Sequence, residues 1–304
     1  MRALELFAGI GGLGLGAAGP FAVVRAYDQD RAAGATYALN HGAPVTAIDL
    51  ASVTALELSR HEAPARLLSP PCQPFTRRGP ARDVDDARAA GLLRLIELVP
   101  SCRPRRVLVE NVAGFHGSRA PARLVAALLA IGPEVRDVAC CPSDLGHAVR
   151  RPREFVLSSA DGLAAIDLTP GSAGTLAGPG LERGDFRAML DPEPDPALAV
   201  PEALRARLSG HVARGAPLAT FTRSYARAIR GAGPVLATVT GLRYFSPREI
   251  LRLHGFPDSF RFPEGLPLRT RLRLAANSVH VSVLARLAAA FTGTGVARTR
   301  DGPS

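Results

Sequence analysis

The 304-residue sequence contains no lysine and no tryptophan, so every one of its 37 basic residues is an arginine. Together with 30 glycines and 26 prolines, this bias is typical of a GC-rich coding sequence, which by itself implies nothing about function. The formal net charge of +10 nevertheless favours an anionic partner, because a basic surface attracts nucleic acid.

Long hydrophobic runs are also missing, although 47% of the residues are hydrophobic and can form a sizeable core. No uninterrupted apolar run approaches the roughly 20 residues that span a membrane. The opening residues run directly into a strand and a glycine turn. We therefore expect neither a membrane segment nor a signal peptide.

Cysteine is scarce, and the four positions are Cys72, Cys102, Cys140 and Cys141. They show no CxxC spacing, and a vicinal pair rarely forms a structural disulfide. The sequence therefore predicts no metal site, and it fits a reducing, cytoplasmic environment.

The first half of the chain alternates between short apolar strands and helix-compatible segments. Ala3–Phe7 reads as a buried strand, and Gly9–Gly16 reads GIGGLGLG before a helix. Further strands are predicted at Phe21–Tyr27, Val45–Ile48 and Ala65–Leu68. This order predicts an α/β, doubly wound, Rossmann-like fold.

Two of these strands end in an acidic residue. Asp28 lies 19 residues after Gly9, close to the spacing of an acid that binds ribose hydroxyls, and Asp49 follows the next strand. The pair suggests an adenosyl ligand across the strand ends. Two alternatives stay open: a dinucleotide also fits a lone glycine turn, and the acids could simply cap turns.

The stretch Ser69–Arg77 reads SPPCQPFTR and follows the strand Ala65–Leu68. Prolines restrict the backbone, so Cys72 is held in one place, as a nucleophile requires. The alternative is a small buried hydrophobic residue, which is the usual role of an intracellular cysteine. A Pro-Pro-Cys-Gln-Pro turn is an unusual setting for that role.

Further motifs follow Cys72 in a fixed order. They are Glu110-Asn111-Val112 at the next strand, Arg151 and Arg153 in the loop LGHAVRRPR, HGFPDSF at His254–Phe260, and RLAANSVHVSVLARL at Arg273–Leu287. With Pro-Cys-Gln, this series resembles the cytosine-C5 methyltransferase family. The run Thr220–Thr238, TFTRSYARAIRGAGPVLAT, and the full SPPCQPFTR resemble its transfer-RNA-methylating branch.

The resemblance implies a methyltransferase domain with a mixed sheet and a smaller target-recognition domain. The expected division is a catalytic domain at 1–160, target recognition at 161–245, and a hinge and return at 246–304. The implied catalytic residues are Cys72, Glu110, Arg151 and Arg153. The implied cofactor is S-adenosylmethionine, held by Phe7, Gly9, Gly11, Gly12, Asp28, Gln29, Asp49, Leu50, Pro71, Asn277, Ser278 and Val279.

Four positions depart from the family pattern. Gln29 stands where many members carry an aromatic residue, and Val149 stands where a polar residue is usual. Thr220 replaces a cysteine of the transfer-RNA branch, and Ala276 replaces a glycine.

One stretch at the end of the recognition region carries arginines without acidic residues. Between Ala203 and Arg248 there are eight arginines and no Asp or Glu, which favours a phosphate-facing surface. The residues expected to bind nucleic acid are Arg77, Arg78, Arg223 and Arg227. Beyond it, Ser246-Pro247-Arg248-Glu249 predicts a helix start, with Glu249 in a structural role.

Several functions remain open at this point. Methylation of cytosine in the anticodon loop of tRNA is favoured, and DNA cytosine-C5 methylation is the alternative with the same chemistry. A non-catalytic nucleic-acid-binding homologue is disfavoured by the intact motif residues. A nicotinamide enzyme is disfavoured because nothing supplies hydride chemistry. We expect a monomer.

Overall fold

The computed structural model describes residues 1–76, 82–132, 134–170, 186–227 and 233–292. Within these ranges, seven strands form one sheet in the order β3-β2-β1-β4-β5-β7-β6. The strands are β1 (Arg2–Leu6), β2 (Ala22–Tyr27), β3 (Val45–Thr46), β4 (Ala65–Leu68), β5 (Arg106–Val112), β6 (Glu134–Cys140) and β7 (Arg153–Ser159). Neighbouring strands from β3 to β5 are parallel, whereas β7 runs antiparallel to both β5 and β6. The predicted doubly wound α/β fold with a mixed sheet is confirmed.

Helices pack on both faces of this sheet and also occur in the C-terminal half of the chain. They are α1 (Gly12–Gly16), α2 (Arg31–Asn40), α3 (Ala55–Ser59), α4 (Ala90–Cys102), α5 (Arg119–Leu129), α6 (Glu202–Leu208), α7 (Pro247–Leu253), α8 (Leu268–Asn277) and α9 (Val281–Ala289). No helix in the described ranges is long and apolar enough to cross a membrane.

Two apolar layers hold the sheet between its helices, because successive strand residues point to opposite faces. On one face, Leu4, Leu6 and Val109 pack with side chains of α4 and α5. On the other face, Leu67 and Leu108 pack with side chains of α9. The near-continuous burial of β4 and β5 is what a parallel sheet covered on both faces requires.

A second, two-stranded sheet lies in the recognition region. Its strands, β8 (Val235–Thr238) and β9 (Gly241–Tyr244), form an antiparallel hairpin that the sequence did not predict. A shared apolar cluster joins Phe221 and Phe245 of this region to Ile10 and Val149 of the larger sheet's loops. The recognition region is therefore packed directly on loops of the main domain.

Two predicted elements have different limits. The strand predicted at Val45–Ile48 ends at Thr46, since Asp49 caps a 3-10 turn at Leu50–Ser52. The apolar spacing of Ala87–Val99 predicts a helix, which begins as a 3-10 turn, Ala87–Ala89, and α4 then continues through Pro100 to Cys102. The predicted domain boundaries remain predictions.

Candidate active site

The glycine turn after β1 lies where the strand order reverses, with β2 on one side and β4 on the other. A crevice outside the carboxyl ends of the strands forms at such a position and is the usual ligand site of this fold. Phe7, Gly9 and Gly11 all have positive φ, at 57°, 55° and 86°. The space above Gly9 is open, because a Cβ placed there meets no atom within 4 Å.

Gly11 and Gly12 are also required to be glycine by the packing of neighbouring side chains. A Cβ on Gly11 would lie 2.2 Å from His41 Nε2, and one on Gly12 would lie 2.8 Å from both Phe256 and Val279. His41 Nε2 also bonds Ile10 O at 3.0 Å. These two glycines let neighbouring protein side chains pack against the turn.

Asp28 is oriented by the glycine turn itself. The amide of Gly9 donates to its Oδ2 at 2.7 Å, and the amide of Asp30 donates to its Oδ1 at 2.7 Å. Burial raises the pKa of the Asp28 carboxyl, and the two amides act against that rise. Each carboxylate oxygen has a second lone pair, so Asp28 can still accept ribose hydroxyls. The open space at Gly9 beside an oriented acid fits an adenosyl group.

The other predicted cofactor residues lie around the same strand ends. Asp49 is exposed, and its side chain accepts a bond from Ala51 N at 3.0 Å. Leu50 is buried, whereas Gln29 is exposed and Pro71 is half-buried. Gln29 thus reaches solvent at the position where relatives carry an aromatic residue.

Residues 278 and 279, in the segment predicted to return to the catalytic domain, are buried next to the glycine turn. Ser278 and Val279 are buried between α8 and α9, and Val279 contacts Gly12. Asn277, the last residue of α8, is exposed. The departure Ala276 is fully buried, and its carbonyl accepts a bond from Arg151.

A buried carboxylate that was not predicted from the sequence is hydrogen-bonded to α1, the helix that follows the glycine turn. Glu5, in β1, is 0% exposed. Its Oε1 accepts a bond from Gly14 N at 2.8 Å, and Tyr37 Oη donates to its Oε2 at 3.1 Å. Burial raises the pKa of Glu5 to about 7, with the charge of Asp28 adding to the rise.

Glu5 should make stability depend on pH. An acid whose pKa is raised from 4.5 to about 7 stabilises the fold when protonated, so this stability is lost as pH rises through that window. The loss amounts to about 3 kcal/mol. We expect Glu5→Gln, which stays neutral, to be more stable than the wild type at pH 8 and close to it at pH 4.5. Urea unfolding across this range measures the difference, with the exposed Glu264→Gln as control. Parallel pH curves for Glu5→Gln and wild type would contradict this account.

Cys72 lies in the loop after β4, at the same edge of the sheet. It is half-buried, and the next three residues form a 3-10 turn, Gln73–Phe75. Burial raises the pKa of the Cys72 thiol, the charges of Arg153 and Arg151 lower it, and that of Glu110 raises it. The three charged groups predicted to act with Cys72 therefore all influence its charge.

Glu110 lies inside β5 and not after it, because β5 continues to Val112. Its Oε1 pairs with Arg153 Nε at 2.8 Å, and its Oε2 accepts a bond from Ser69 Oγ at 2.7 Å. The side chain is only 7% exposed. Ser69 was part of the quoted motif but was not predicted as a site residue. Parallel register supplies the missing signal, since Leu68 pairs with Val109 and the next residues on each strand are Ser69 and Glu110.

Arg151 and Arg153 have different surroundings. Arg153 begins β7 and faces Glu110, whereas Arg151 is buried and donates through Nη1 to Phe221 O at 3.0 Å and to Ala276 O at 3.2 Å. Arg151 thus links the catalytic loop to the recognition region and to the return segment. A small cavity of about 10 Å³ lies behind Glu110 and both arginines, which is room for one water molecule.

Val149 and Thr220, two of the positions that depart from the family pattern, lie where the loop that carries Arg151 meets the segment before Phe221. Val149 is fully buried and forms a parallel β-bridge with Leu218. The hydroxyl of Thr220 donates to Arg150 O at 2.6 Å. The segment before Phe221 is therefore hydrogen-bonded along the loop that carries Arg151.

The arginines of the recognition region are not all available to a partner. Arg223 and Arg227 are exposed, as predicted for phosphate contacts. Arg243 is buried, and its guanidinium forms two bonds to Glu249 at 2.7 and 2.9 Å, so the expectation of a uniformly phosphate-facing stretch is wrong at this position. Arg77 and Arg78 lie outside the described residues.

No group of three or more His, Cys, Asp or Glu side chains within the described ranges is placed to hold a metal ion. The four cysteines all fall in those ranges, and none forms a disulfide.

Comparison with known proteins gives the family. The model of the C-5 cytosine-specific DNA methylases matches residues 1–167 and 209–292. A tRNA (cytosine(38)-C(5))-methyltransferase of Schizosaccharomyces pombe is 29% identical over 94% of this chain and 95% of the relative. A DNA (cytosine-5)-methyltransferase of Dictyostelium discoideum is 26% identical, with coverage of 94% and 93%. The crystal structure of the S. pombe Dnmt2 methyltransferase has a TM-score of 0.79 at 27% identity, covering 94% of this chain and 97% of that chain. The chain belongs to the C-5 cytosine-specific DNA methylase family and is a cytosine-C5 methyltransferase.

Proposed function

We propose that this enzyme methylates carbon 5 of a cytosine in the anticodon loop of tRNA, at a position of the cytosine-38 type. The observation that carries the proposal is similarity along nearly the whole chain to a relative named for that reaction. The recognition segment around Phe221 supports it, because it is packed on the loop that carries Arg151 and continues into the exposed Arg223 and Arg227.

The side chains around Cys72 suit covalent catalysis. Carbon 5 of cytosine is a weak nucleophile until a thiolate adds to carbon 6. In our proposal Cys72 forms that carbon–sulfur bond and moves electron density toward carbon 5. Glu110 holds a proton at ring N3, where negative charge develops, and Arg153 keeps the Glu110 carboxyl group in place. Once carbon 5 has received a methyl group, a base or water takes the proton from carbon 5, and the bond between carbon 6 and the Cys72 sulfur breaks.

The family uses S-adenosylmethionine, which supplies the methyl group when bound. We propose that Asp28 binds its ribose hydroxyls and that the open turn at Gly9 adjoins it. Asp49 would bind the adenine amino group. Because Gln29 is exposed and has no aromatic ring, adenine stacking at this position would be weaker than in relatives.

The target base must leave its stack before Cys72 can reach carbon 6. Extruding a base costs a few kcal/mol in a duplex and less in a single-stranded loop. An enzyme for an RNA loop therefore needs less machinery for base reading than a duplex enzyme. Such a substrate also agrees with the cytoplasmic location that we expect for this chain.

A second candidate function is methylation of DNA, which the same catalytic group can perform. It is favoured by the relative named as a DNA (cytosine-5)-methyltransferase at 26% identity. Arginine can read guanine in the major groove, so exposed arginines do not distinguish the two substrates by themselves.

Labelled methyl transfer to tRNA and to duplex DNA tests the proposal. We expect transfer to tRNA to be at least tenfold faster, which corresponds to a barrier difference of about 1.4 kcal/mol. A tRNA with uracil in place of the target cytosine serves as the substrate control. Robust methylation of one DNA sequence with none on tRNA would establish the DNA function instead.

Charge-reversal variants of the enzyme test the same proposal. Arg223→Glu and Arg227→Glu, each made singly, should weaken tRNA binding and reduce its salt dependence, since each lost phosphate contact lowers the slope by roughly one. Arg103→Glu is the matched control, because it changes the net charge by the same amount and Arg103 is exposed at the end of α4, before the amino end of β5. An effect of Arg103→Glu equal to that of the other two single changes would show that net charge, and not this surface, governs binding.

A further inference from the structure

The Glu110 carboxyl group has two partners of different chemistry. Arg153 Nε lies 2.8 Å from Oε1, and Ser69 Oγ lies 2.7 Å from Oε2. A guanidinium N–H can only donate, so it requires Oε1 to remain an acceptor. A hydroxyl can donate to a carboxylate and, after rotation, accept from a protonated carboxyl. Any proton carried by Glu110 must therefore reside on Oε2, beside Ser69.

Ser69 is itself firmly placed. Its amide donates to Leu6 O at 3.2 Å, so it is anchored to the end of β1 next to the glycine turn. It stands three residues before Cys72 in the same loop, and a second bond, from Asn111 Nδ2 to Pro70 O at 3.2 Å, fixes this loop to β5. One side chain thus connects the loop of the nucleophile with the acidic group.

We infer that Ser69 is a positioning residue for catalysis, which places the exchangeable proton of Glu110 on Oε2 and keeps that oxygen aimed by a hydrogen bond in both protonation states. This inference rests on the proposed role of Glu110 at ring N3. It concerns the acidic group only and holds for either nucleic acid, because both substrates present the same cytosine ring.

The Ser69 hydroxyl differs from the other polar groups around Glu110 in the oxygen that it contacts. The charged and titratable groups that face it are Arg153 and Arg151 from the loop into β7, Cys72 from the loop after β4, and Cys140 and His280 across the small cavity. Of these, Arg153 is held at Oε1. Ser69 is the group hydrogen-bonded to Oε2 within the described residues.

Ser69→Ala tests the inference by steady-state kinetics on whichever nucleic acid the wild type methylates. We expect kcat to fall roughly 10- to 100-fold, since small misplacement of a catalytic group costs that much.

Ser118→Ala is the matched control, because that hydroxyl donates to the Phe115 carbonyl and does not contact a catalytic group. Ser69→Thr keeps a hydroxyl and should recover most of the rate. In a Glu110→Gln background, Ser69→Ala should add little, because the two groups act as one unit. Circular dichroism establishes that each variant is folded.

A folded Ser69→Ala enzyme with wild-type kcat would overturn the inference. So would additive losses in the double variant, which would show that Ser69 acts independently of Glu110. Failure of the tRNA proposal gives a different result, namely a wild-type enzyme that is active on DNA alone.

Discussion

Alanine in place of Cys72 should abolish methyl transfer, with a loss of roughly 10⁴- to 10⁶-fold, as expected when the nucleophile of a covalent enzyme is removed. We expect no other cysteine to substitute, and burial raises the pKa of the Cys140 thiol, which lines the small cavity, to about 11. Cys102 lies at the end of α4, and Cys140 and Cys141 lie at the end of β6 and just after it. Cofactor binding should survive in this variant, because the predicted ligand contacts come mainly from the strand-end turns. The measurement is single-turnover transfer of a labelled methyl group.

Trapping with 5-fluorocytosine in the nucleic acid supplies the direct evidence. Because carbon 5 then carries no proton to lose, the bond to the enzyme should persist, and mass mapping should place it on Cys72. Cys102→Ala is the matched control and should keep both turnover and adduct. An adduct mapped to Cys140 or Cys141, or appreciable turnover by Cys72→Ala, would show that the nucleophile lies elsewhere.

Much of the main fold could be predicted from local patterns. The strands ending before Asp28 and Cys72, the glycine turn, and the capping box formed by Ser246 and Glu249 are all encoded within a few neighbouring residues. Such signals depend on backbone preferences and side-chain periodicity, which a sequence displays directly. The hairpin β8–β9 was missed because its alternation is short and includes exposed Val239 and Thr240.

The contacts of the site depend on tertiary packing and could be predicted only in part. The position of Cys72 beside a rigid turn follows from its prolines, yet its link to Glu110 through Ser69 depends on the register between β4 and β5. The need for glycine at Gly11 comes from the ring of His41, 30 residues further along. A pattern of glycines cannot show which neighbour requires them.

The count of charged residues along the sequence predicted the phosphate-facing surface least well. A stretch with arginines and no acid looks uniformly basic, but Arg243 pairs with Glu249, which follows that stretch by a single residue. The sequence count of one-signed residues therefore overstates the surface available to phosphates. Arg223 and Arg227 remain exposed and keep the predicted role open to test.

Substitution of the buried residue Glu249 should lower the free energy of unfolding strongly. Its side chain is 0% exposed and receives bonds from two donors at each oxygen. Arg243 Nη2 and Asp191 N donate to Oε1 at 2.7 and 2.8 Å, while Arg243 Nη1 and Ser246 N donate to Oε2 at 2.9 and 2.6 Å. The carboxylate thus joins the hairpin, the start of α7 and the segment before α6.

Glu249→Gln should lower the free energy of unfolding by about 3–5 kcal/mol, since removing one partner leaves the buried Arg243 guanidinium without a countercharge. The glutamine amide adds donors where donors already converge, so its similar size gives little compensation. Urea unfolding at pH 7 measures the effect, and the exposed Glu202→Gln should change it by less than about 0.5 kcal/mol. With Arg243→Met added, the loss should be smaller than the sum of the single losses, because the orphaned charge is gone. Stability within 1 kcal/mol of the wild type for Glu249→Gln would mean that water reaches this pair and screens it.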